Sequence, residues 1–201
     1  AAEGVEQIVA AAAAPRARTA HNPFYAASDN LGTCWIARHE MQGPFVLING
    51  DTLFEPAVFE RLCAAAHDYP ITLATDSKPA YDDDDMKVVI GTERRLDRVG
   101  KQLDPERVNG ESIGMIRFDA AGARHFVARL DLLMRHESTL GRWYLSAVDE
   151  LAAEAIVGTT AIDGLGWCEL DDHADLEYAR NVVPTWWQRG VSLDAASGNR
   201  R

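Results

Sequence analysis

The pattern of apolar and polar positions alternates between short apolar runs and longer amphipathic segments, which is typical of an α/β protein. The strongest apolar run is FVLI at residues 45–48, and it has no polar residue inside it. Such a run predicts a strand buried on both faces, as found in the centre of a parallel sheet. Other apolar runs predict further strands over residues 71–75, 86–90, 96–99, 113–118 and 156–162, the second and third forming a hairpin that turns at 91–94.

Apolar residues with helical spacing fill the segments between these strands. They predict helices over residues 1–14, 34–41, 56–67, 120–136, 140–155 and 173–182. In the helix over 56–67, the predicted apolar stripe is Phe59, Leu62, Cys63 and Ala66. Ahead of the second helix we predict a short strand at 16–20, a loop at 22–25 and a polar turn at 28–33.

Together these elements predict an α/β fold, doubly wound around a mostly parallel, mixed central sheet with an inserted β-hairpin. With 201 residues the chain is long enough for one domain, which we place at residues 1–182, followed by a C-terminal tail at 183–201. No pattern in the sequence indicates an oligomeric state.

Composition narrows the classes of partner. The net charge of −11 argues against nucleic acid, whereas small phosphates stay compatible because a divalent metal can reverse the local field. Three widely spaced cysteines, Cys34, Cys63 and Cys168, match no metal pattern and favour free thiols in a reducing compartment. No apolar run has the length of a membrane span and no signal peptide opens the chain, so the expected location is the cytoplasm.

Candidate chemistry lies where apolar runs end. Asp51 follows Asn49-Gly50 directly after the strongest run, and glycine lets a ligand approach the backbone. A carboxylate at the end of a core strand is a suitable ligand for Mg²⁺ and hence for a substrate that carries phosphates. The alternative is that Asp51 caps the helix that starts near Pro56. Other carboxylates also stand at strand ends, namely Asp76, Asp85, Glu169 and Asp171.

An ordered set of motifs makes this picture more specific. In chain order they are NPFY at 22–25, DNL at 29–31, LINGDT at 47–52, DMKV at 85–88, GKQL at 100–103, GESIG at 110–114 and WCELD at 167–171. From residue 22 to residue 179 the chain resembles the sugar-phosphate nucleotidyltransferase superfamily, with a nucleotide-diphospho-sugar transferase-like fold. Within it, the sequence is most similar to the phosphocholine and phosphonate cytidylyltransferases.

The resemblance implies that a substrate phosphate or phosphonate attacks the α-phosphorus of a nucleoside triphosphate, CTP above all, and that pyrophosphate leaves. It implies Mg²⁺ as cofactor, bound by Asp51 together with Asp171 or Glu169. Lys101 of the Gly-Lys motif would contact substrate phosphate as a point charge. The implied catalytic residues are therefore Asp51, Lys101 and Asp171, and the partners are CTP and a small phosphorylated acceptor such as phosphocholine.

The same resemblance assigns residues to the acceptor pocket. Glu111 and the backbone at Gly114 would line it, and Asn30 and Asp85 belong to motifs placed beside it. Trp167 and Tyr144 could hold a cationic head group by cation–π contacts. Packing in the core or cleft is the alternative for these aromatic residues and for Trp143. For Lys101 the alternative is a solvated loop lysine, and for Glu111 a carboxylate in a turn.

The resemblance fails at the beginning of the chain. The family opens with a strand, a glycine-rich loop and a downstream Pro-Lys that together bind the triphosphate, and no glycine-rich segment precedes Gly32 here. We therefore expect a fold without the first βαβ unit, with an open strand edge. Two other functions stay open: a non-catalytic remnant that binds a phosphorylated ligand or partner, and a glycosyltransferase whose metal is held by the acidic run at residues 82–85.

Overall fold

A computed structural model describes residues 2–11, 17–65 and 68–197, and for residues 2 and 187–197 it describes the backbone only. The α-helices are α1 (Ala2–Ala11), α2 (Asn30–Ala37), α3 (Pro56–Ala64), α4 (Ala120–Leu133), α5 (Leu145–Ala152) and α6 (His173–Ser197). The strands are β1 (Phe45–Ile48), β2 (Thr52–Phe54), β3 (Ile71–Asp76), β4 (Lys87–Ile90), β5 (Leu96–Gly100), β6 (Gly110–Phe118), β7 (Val157–Ala161) and β8 (Trp167–Glu169). Short 3-10 turns lie at Arg38–Glu40, Thr92–Arg94 and Glu137–Thr139.

The centre of the main sheet is β6, and all nine of its residues are buried. The strand order is β5-β4-β6-β3-β7, and β1 also pairs with β6. This arrangement confirms the mixed α/β class and the hairpin formed by β4 and β5. The parallel pair is β3 with β7, whereas the described pairings of β6 with β1, β3 and β4 are antiparallel. Parallel pairs are therefore fewer than the sequence predicts.

The strand after which Asp51 comes is not the central one. β1 pairs antiparallel with β6, with Leu47 opposite Ile116, and its residues are only partly buried. The prediction of a parallel strand buried on both faces is thus wrong for β1, because β6 occupies that central position. Within the described residues no strand pairs with the other edge of β1.

The two faces of the sheet bury two apolar clusters. On one face the rings of Phe45 and Phe118 stack with centroids 4.5 Å apart, and Phe126 of α4 packs against both. On the other face Val58 and Leu62 of α3 contact a smaller cluster that contains Met115 of β6. Since β6 is packed from both sides, the strand ends that bear polar residues are held by a rigid support.

Several predicted boundaries and faces differ from the structure. α3 buries Val58 and Leu62, whereas Phe59 and Cys63 of the predicted stripe are exposed and Ala66 lies outside the described residues. α2 begins at Asn30 within the predicted turn, because the carboxylate of Asp29 accepts a hydrogen bond from the Asn30 N–H and starts the helix early.

The other differences concern the ends of the chain and α5. Residues 17–20 are irregular, so the strand predicted there is wrong, and α5 begins at Leu145 rather than at 140. Residues 1, 12–14, 66 and 67 of the predicted helices lie outside the described part of the chain. α6 continues past residue 182 to Ser197, and Trp186 on it is buried against Gly166, where a Cβ would lie 2.2 Å from the indole nitrogen. The domain limits stay a prediction.

None of the helices in the described ranges combines the length and the apolar character needed to cross a bilayer.

Candidate functional site

The ten site residues that the sequence predicts all line one cavity of about 680 Å³. The cavity lies where β1 ends, β6 begins and β8 leads into α6. The predicted residues in its wall are Asn30, Asp51, Asp85, Lys101, Glu111, Gly114, Tyr144, Trp167, Glu169 and Asp171. The structure therefore brings together side chains from distant parts of the sequence, while their individual roles stay predictions.

A two-stranded ladder places Asp51 next to the WCELD segment. β2 pairs antiparallel with β8, with Thr52 opposite Glu169, and the Leu170 N–H donates to the Asp51 carbonyl at 3.0 Å. The sequence did not predict β2. Glu55 occupies the N-cap position of α3, without a capping side-chain hydrogen bond, so the alternative in which Asp51 caps this helix is wrong. The backbone of this ladder fixes the separation between the two acidic segments.

The carboxylates around Asp51 form a negatively charged group. Burial raises the pKa of Glu169 to about 7, and the charges of Asp51 and Asp171 raise it in the same direction. In the described residues no set of three or more His, Cys, Asp or Glu side chains is arranged to hold a metal. Mg²⁺ with a nucleotide usually takes one or two carboxylates, its other ligands being phosphate oxygens and water. Asp51 with Glu169 or Asp171 fits that smaller requirement.

The raised pKa of Glu169 predicts a pH dependence of stability in Mg²⁺-free buffer. Glu169 loses its proton near pH 7 in the folded protein and near pH 4.5 in the unfolded chain. Between these values the folded state binds more protons, so this group lowers the stability as pH rises from 4.5 to 7. Calorimetric melting temperatures at pH 5, 6, 7 and 8 should fall less steeply for Glu169→Gln than for the wild type. Equal slopes for the two proteins would contradict the prediction.

Lys101 enters the cavity with its ammonium group already in contact with two residues. The nitrogen lies 4.7 Å from the centre of the Trp143 ring and 3.2 Å from a carboxylate oxygen of Asp84. Trp143 is therefore not a core residue. Lys101 covers one face of its ring, so a ligand cation cannot bind on that face. The alternative of a solvated loop lysine does not describe Lys101, whose side chain is 29 % exposed.

A buried lysine fixes the acidic loop beside Lys101. The Lys87 ammonium donates to the backbone carbonyls of Asp82 and Asp85, and to that of Lys101 at 3.0 Å. Lys87 is 8 % exposed, so these carbonyls replace water around its charge. It therefore joins the loop at 82–85 to the end of β5. No role is predicted for Lys87 from its motif, although a charged residue inside the apolar run at 86–90 is a signal for one.

The carboxylates of Glu111 and Asp85 both form ion pairs with the same lysine, Lys78. The Lys78 ammonium lies 2.7 Å from Asp85 and 3.0 Å from Glu111. Burial raises the pKa of Glu111 even with this partner beside it. Glu111 is 5 % exposed and stands in β6, so its alternative as a turn carboxylate is wrong.

Tyr144 is a packing residue that also orders the cavity wall. It is 3 % exposed, its hydroxyl donates to Asn49 Oδ1 at 2.7 Å, and its N–H donates to Asn30 Oδ1 at 2.7 Å. Asn49 in turn lies over Gly114, which has a φ of +71° and where a Cβ would lie 2.5 Å from the Asn49 amide nitrogen. Glycine at 114 is therefore required both by the backbone and by the space. Asn49 is a further cavity residue; it belongs to the LINGDT motif but was not among the predicted site residues.

Trp167 is the aromatic residue best placed to meet a ligand. Its indole N–H donates to Asp76 at 2.7 Å, which orients the ring, and it lines the cavity from the same strand as Glu169. Residues two apart in a strand point to the same side. Asp76 therefore positions Trp167, although it is not itself part of the cavity wall.

Further acidic residues line the cavity beyond those predicted, and they are Asp82, Asp84, Asp172 and Asp175. Asp172 caps the first turn of α6, and the Asp175 carboxylate accepts hydrogen bonds from the N–H groups of Asp171 and Asp172. Sequence position alone could not show that α6 begins at the cavity, so Asp172 and Asp175 were missed, whereas Asp82 and Asp84 were considered only within the acidic run at 82–85.

Comparisons with solved structures identify the fold. The phosphocholine cytidylyltransferase of Streptococcus pneumoniae superimposes with a TM-score of 0.67 at 16 % identity, over 89 % of this chain and 74 % of that one. The inositol-1-phosphate CTP transferase of T. maritima gives a TM-score of 0.61 at 18 % identity, over 77 % and 60 % of the respective chains. The fold of this chain is therefore that of nucleotidyltransferases, as the resemblance implied.

A curated relative is similar in sequence as well. The CMP-5'-(3-aminopropyl)phosphonate synthase of Streptomyces rubellomurinus (strain ATCC 31215) is 28 % identical over 172 residues, which cover 79 % of this chain. The match spans 26 % of that protein's length, about a quarter. No family model matches the sequence.

Proposed function

We propose that this chain is a Mg²⁺-dependent cytidylyltransferase domain that binds a small phosphate or phosphonate acceptor bearing a cationic group. An acceptor oxygen attacks the α-phosphorus of CTP, the bond from that phosphorus to the β-phosphate oxygen breaks, and pyrophosphate leaves. The observation that supports this most strongly is the β2–β8 ladder, which sets Asp51 beside Glu169 in a cavity that Lys101 also lines.

Each residue then has a task that its geometry supports. Asp51, with Glu169 or Asp171, would hold Mg²⁺, which when bound neutralises charge on the phosphates. Lys101 supplies a fixed positive charge to a substrate phosphate. The Asn49 and Gly114 pair keeps the end of β1 close to β6, so that Asp51 is held in place. Such fixed groups act by orienting the reactants and stabilising charge.

The charge of the cavity favours a cationic acceptor. Nine carboxylates line it, at positions 51, 82, 84, 85, 111, 169, 171, 172 and 175, whereas Lys101 is the cationic side chain in the wall and Lys78, outside the wall, pairs with those at 85 and 111. Trp167 offers an aromatic face next to Glu169, and such a pair recognises ammonium groups. The sequence relative is named for the cytidylyl ester of an aminoalkylphosphonate, which carries the same two groups.

A pyrophosphate-release assay tests the proposal. The chain is incubated with Mg²⁺, one of CTP, UTP, ATP or GTP, and one of phosphocholine, 2-aminoethylphosphonate, 3-aminopropylphosphonate or glucose-1-phosphate. We expect release with CTP and a cationic acceptor, and little with glucose-1-phosphate. Absence of release from every combination would contradict the proposal.

Binding without turnover is the second candidate, because among the described residues of the cavity wall only Lys101 is cationic, which leaves a triphosphate few positive contacts. Calorimetry with Mg²⁺ and phosphocholine separates the two, since a non-catalytic protein would bind without releasing pyrophosphate. The glycosyltransferase hypothesis is less favoured, since Asp84 and Asp85 of the acidic run already pair with Lys101 and Lys78.

A further inference from the structure

We infer that Trp143 is a positioning residue for Lys101, and that Asp84 occupies the place at Lys101 which a substrate phosphate oxygen takes. This inference rests on the proposed function, since it takes Lys101 to bind substrate phosphate. The Lys101 ammonium thus keeps its contact with the Trp143 ring when substrate binds, whereas its contact with the Asp84 carboxylate is replaced by one with phosphate.

The ring contact is the lasting one. The Lys101 nitrogen lies 4.7 Å from the Trp143 ring centre, within the range of a cation–π interaction. The Lys101 carbonyl is held at the same time by the buried Lys87 ammonium. A lysine side chain is long and flexible, so fixing it at its backbone and under its charged end removes most of its freedom. A ring binds a cation without satisfying its N–H donors, which stay free for an anion.

The ion pair is the exchangeable contact. The Asp84 side chain is 98 % exposed, whereas that of Lys101 is 29 % exposed, so the carboxylate can turn into water while the ammonium stays in the cavity. Pairs in which one partner is this exposed contribute little stability. A phosphate oxygen that arrives at Lys101 therefore displaces Asp84 at small cost, and the freed carboxylate moves out of the negatively charged cavity.

Two substitutions with opposite expected effects test the inference. Trp143→Leu should weaken binding of Mg²⁺-pyrophosphate, measured by calorimetry, and raise the KM for the acceptor, each by about twofold to fivefold. Asp84→Asn should strengthen binding by about twofold, because it removes the competing carboxylate. Trp143→Phe, which keeps an aromatic face, should fall between the wild type and Trp143→Leu. Asp83→Asn is the matched control for Asp84, since it removes the same charge from the neighbouring residue of the loop.

The experiment distinguishes a failure of this inference from a failure of the proposed function. The inference fails if Trp143→Leu matches Trp143→Phe, if Asp84→Asn matches Asp83→Asn, or if the wild type binds no pyrophosphate. If the opposite shifts in binding occur but no nucleotidyl transfer is found, the arrangement around Lys101 stands and only the proposed function falls. Melting temperatures within about 2 °C of the wild type show that each variant is folded. If Trp143→Leu lies outside that range, Lys101→Met takes its place. Combining Lys101→Met with Asp84→Asn must then abolish the effect of Asp84→Asn on binding.

Discussion

Asp51→Asn is expected to lower the rate of nucleotidyl transfer by about 10²-fold or more. The substitution keeps the size of the side chain and removes the charge just before β2, the strand that pairs with β8. Loss of one metal-binding carboxylate costs several kcal/mol of transition-state stabilisation, and each 1.36 kcal/mol is a factor of about ten in rate. The measurement is pyrophosphate release with CTP and phosphocholine, together with calorimetric titration of Mg²⁺.

The same experiment needs a control for charge. Asp83→Asn removes an equal charge from the acidic loop, where the structure gives that residue no place in the cavity wall, and it should leave the rate within about twofold. Glu169→Gln should weaken Mg²⁺ binding if Glu169 is the second ligand, whereas Asp171→Asn should do so if Asp171 is. Full activity of Asp51→Asn would remove Asp51 from the mechanism.

Lys87→Met is expected to lower the free energy of unfolding by about 2–3 kcal/mol. The methionine has a similar length but cannot donate to the partly buried carbonyls of Asp82, Asp85 and Lys101, and leaving these acceptors without their partner costs up to about 3 kcal/mol. Urea unfolding followed by circular dichroism measures this change, and for a chain of this size the melting temperature should fall by about 5–10 °C.

Lys101→Met is the matched control for this substitution, because it removes the same charge from a lysine that bonds no carbonyl in the described structure. We expect it to change stability by less than about 1 kcal/mol, since it loses an exposed ion pair and one ring contact. Equal destabilisation by the two variants would show that charge, rather than the three carbonyl contacts, explains the loss at Lys87.

Much of the fold follows from local sequence. The runs that form β3, β4 and β6 are apolar enough to specify strands, and the structure confirms each of them. Strand direction is not encoded locally. The sequence therefore predicts β1 as a central parallel strand, whereas in the structure β6 is central and β1 pairs antiparallel with it. The stripe of α3 was ambiguous, because Val58 with Leu62 and Phe59 with Cys63 are both four residues apart. Only packing against β3 and β6 selects the first pair.

The sequence predicts which residues form the site better than it predicts the contacts between them. Nine residues of the ordered motifs share one cavity with Tyr144, since strand ends of an α/β sheet converge. β2 could not be predicted, because a strand of three residues has no periodicity of its own and forms only with β8 as its partner. The contacts of Trp143 and Lys87 depend on side-chain directions, which no spacing in the sequence reveals, although the charge of Lys87 inside an apolar run does mark that position.

The pairing of β2 with β8 also bears on how the protein reaches its native state. More than half of the chain lies between Thr52 and Glu169, so this ladder closes one of the longest loops in the molecule. Closing a long loop carries an entropic cost that nearby contacts must first offset, and such pairings form late in folding. We therefore expect the binding of a divalent cation to appear after the helices and the hairpin have formed, so that a fluorescent metal chelator would report the final step of refolding.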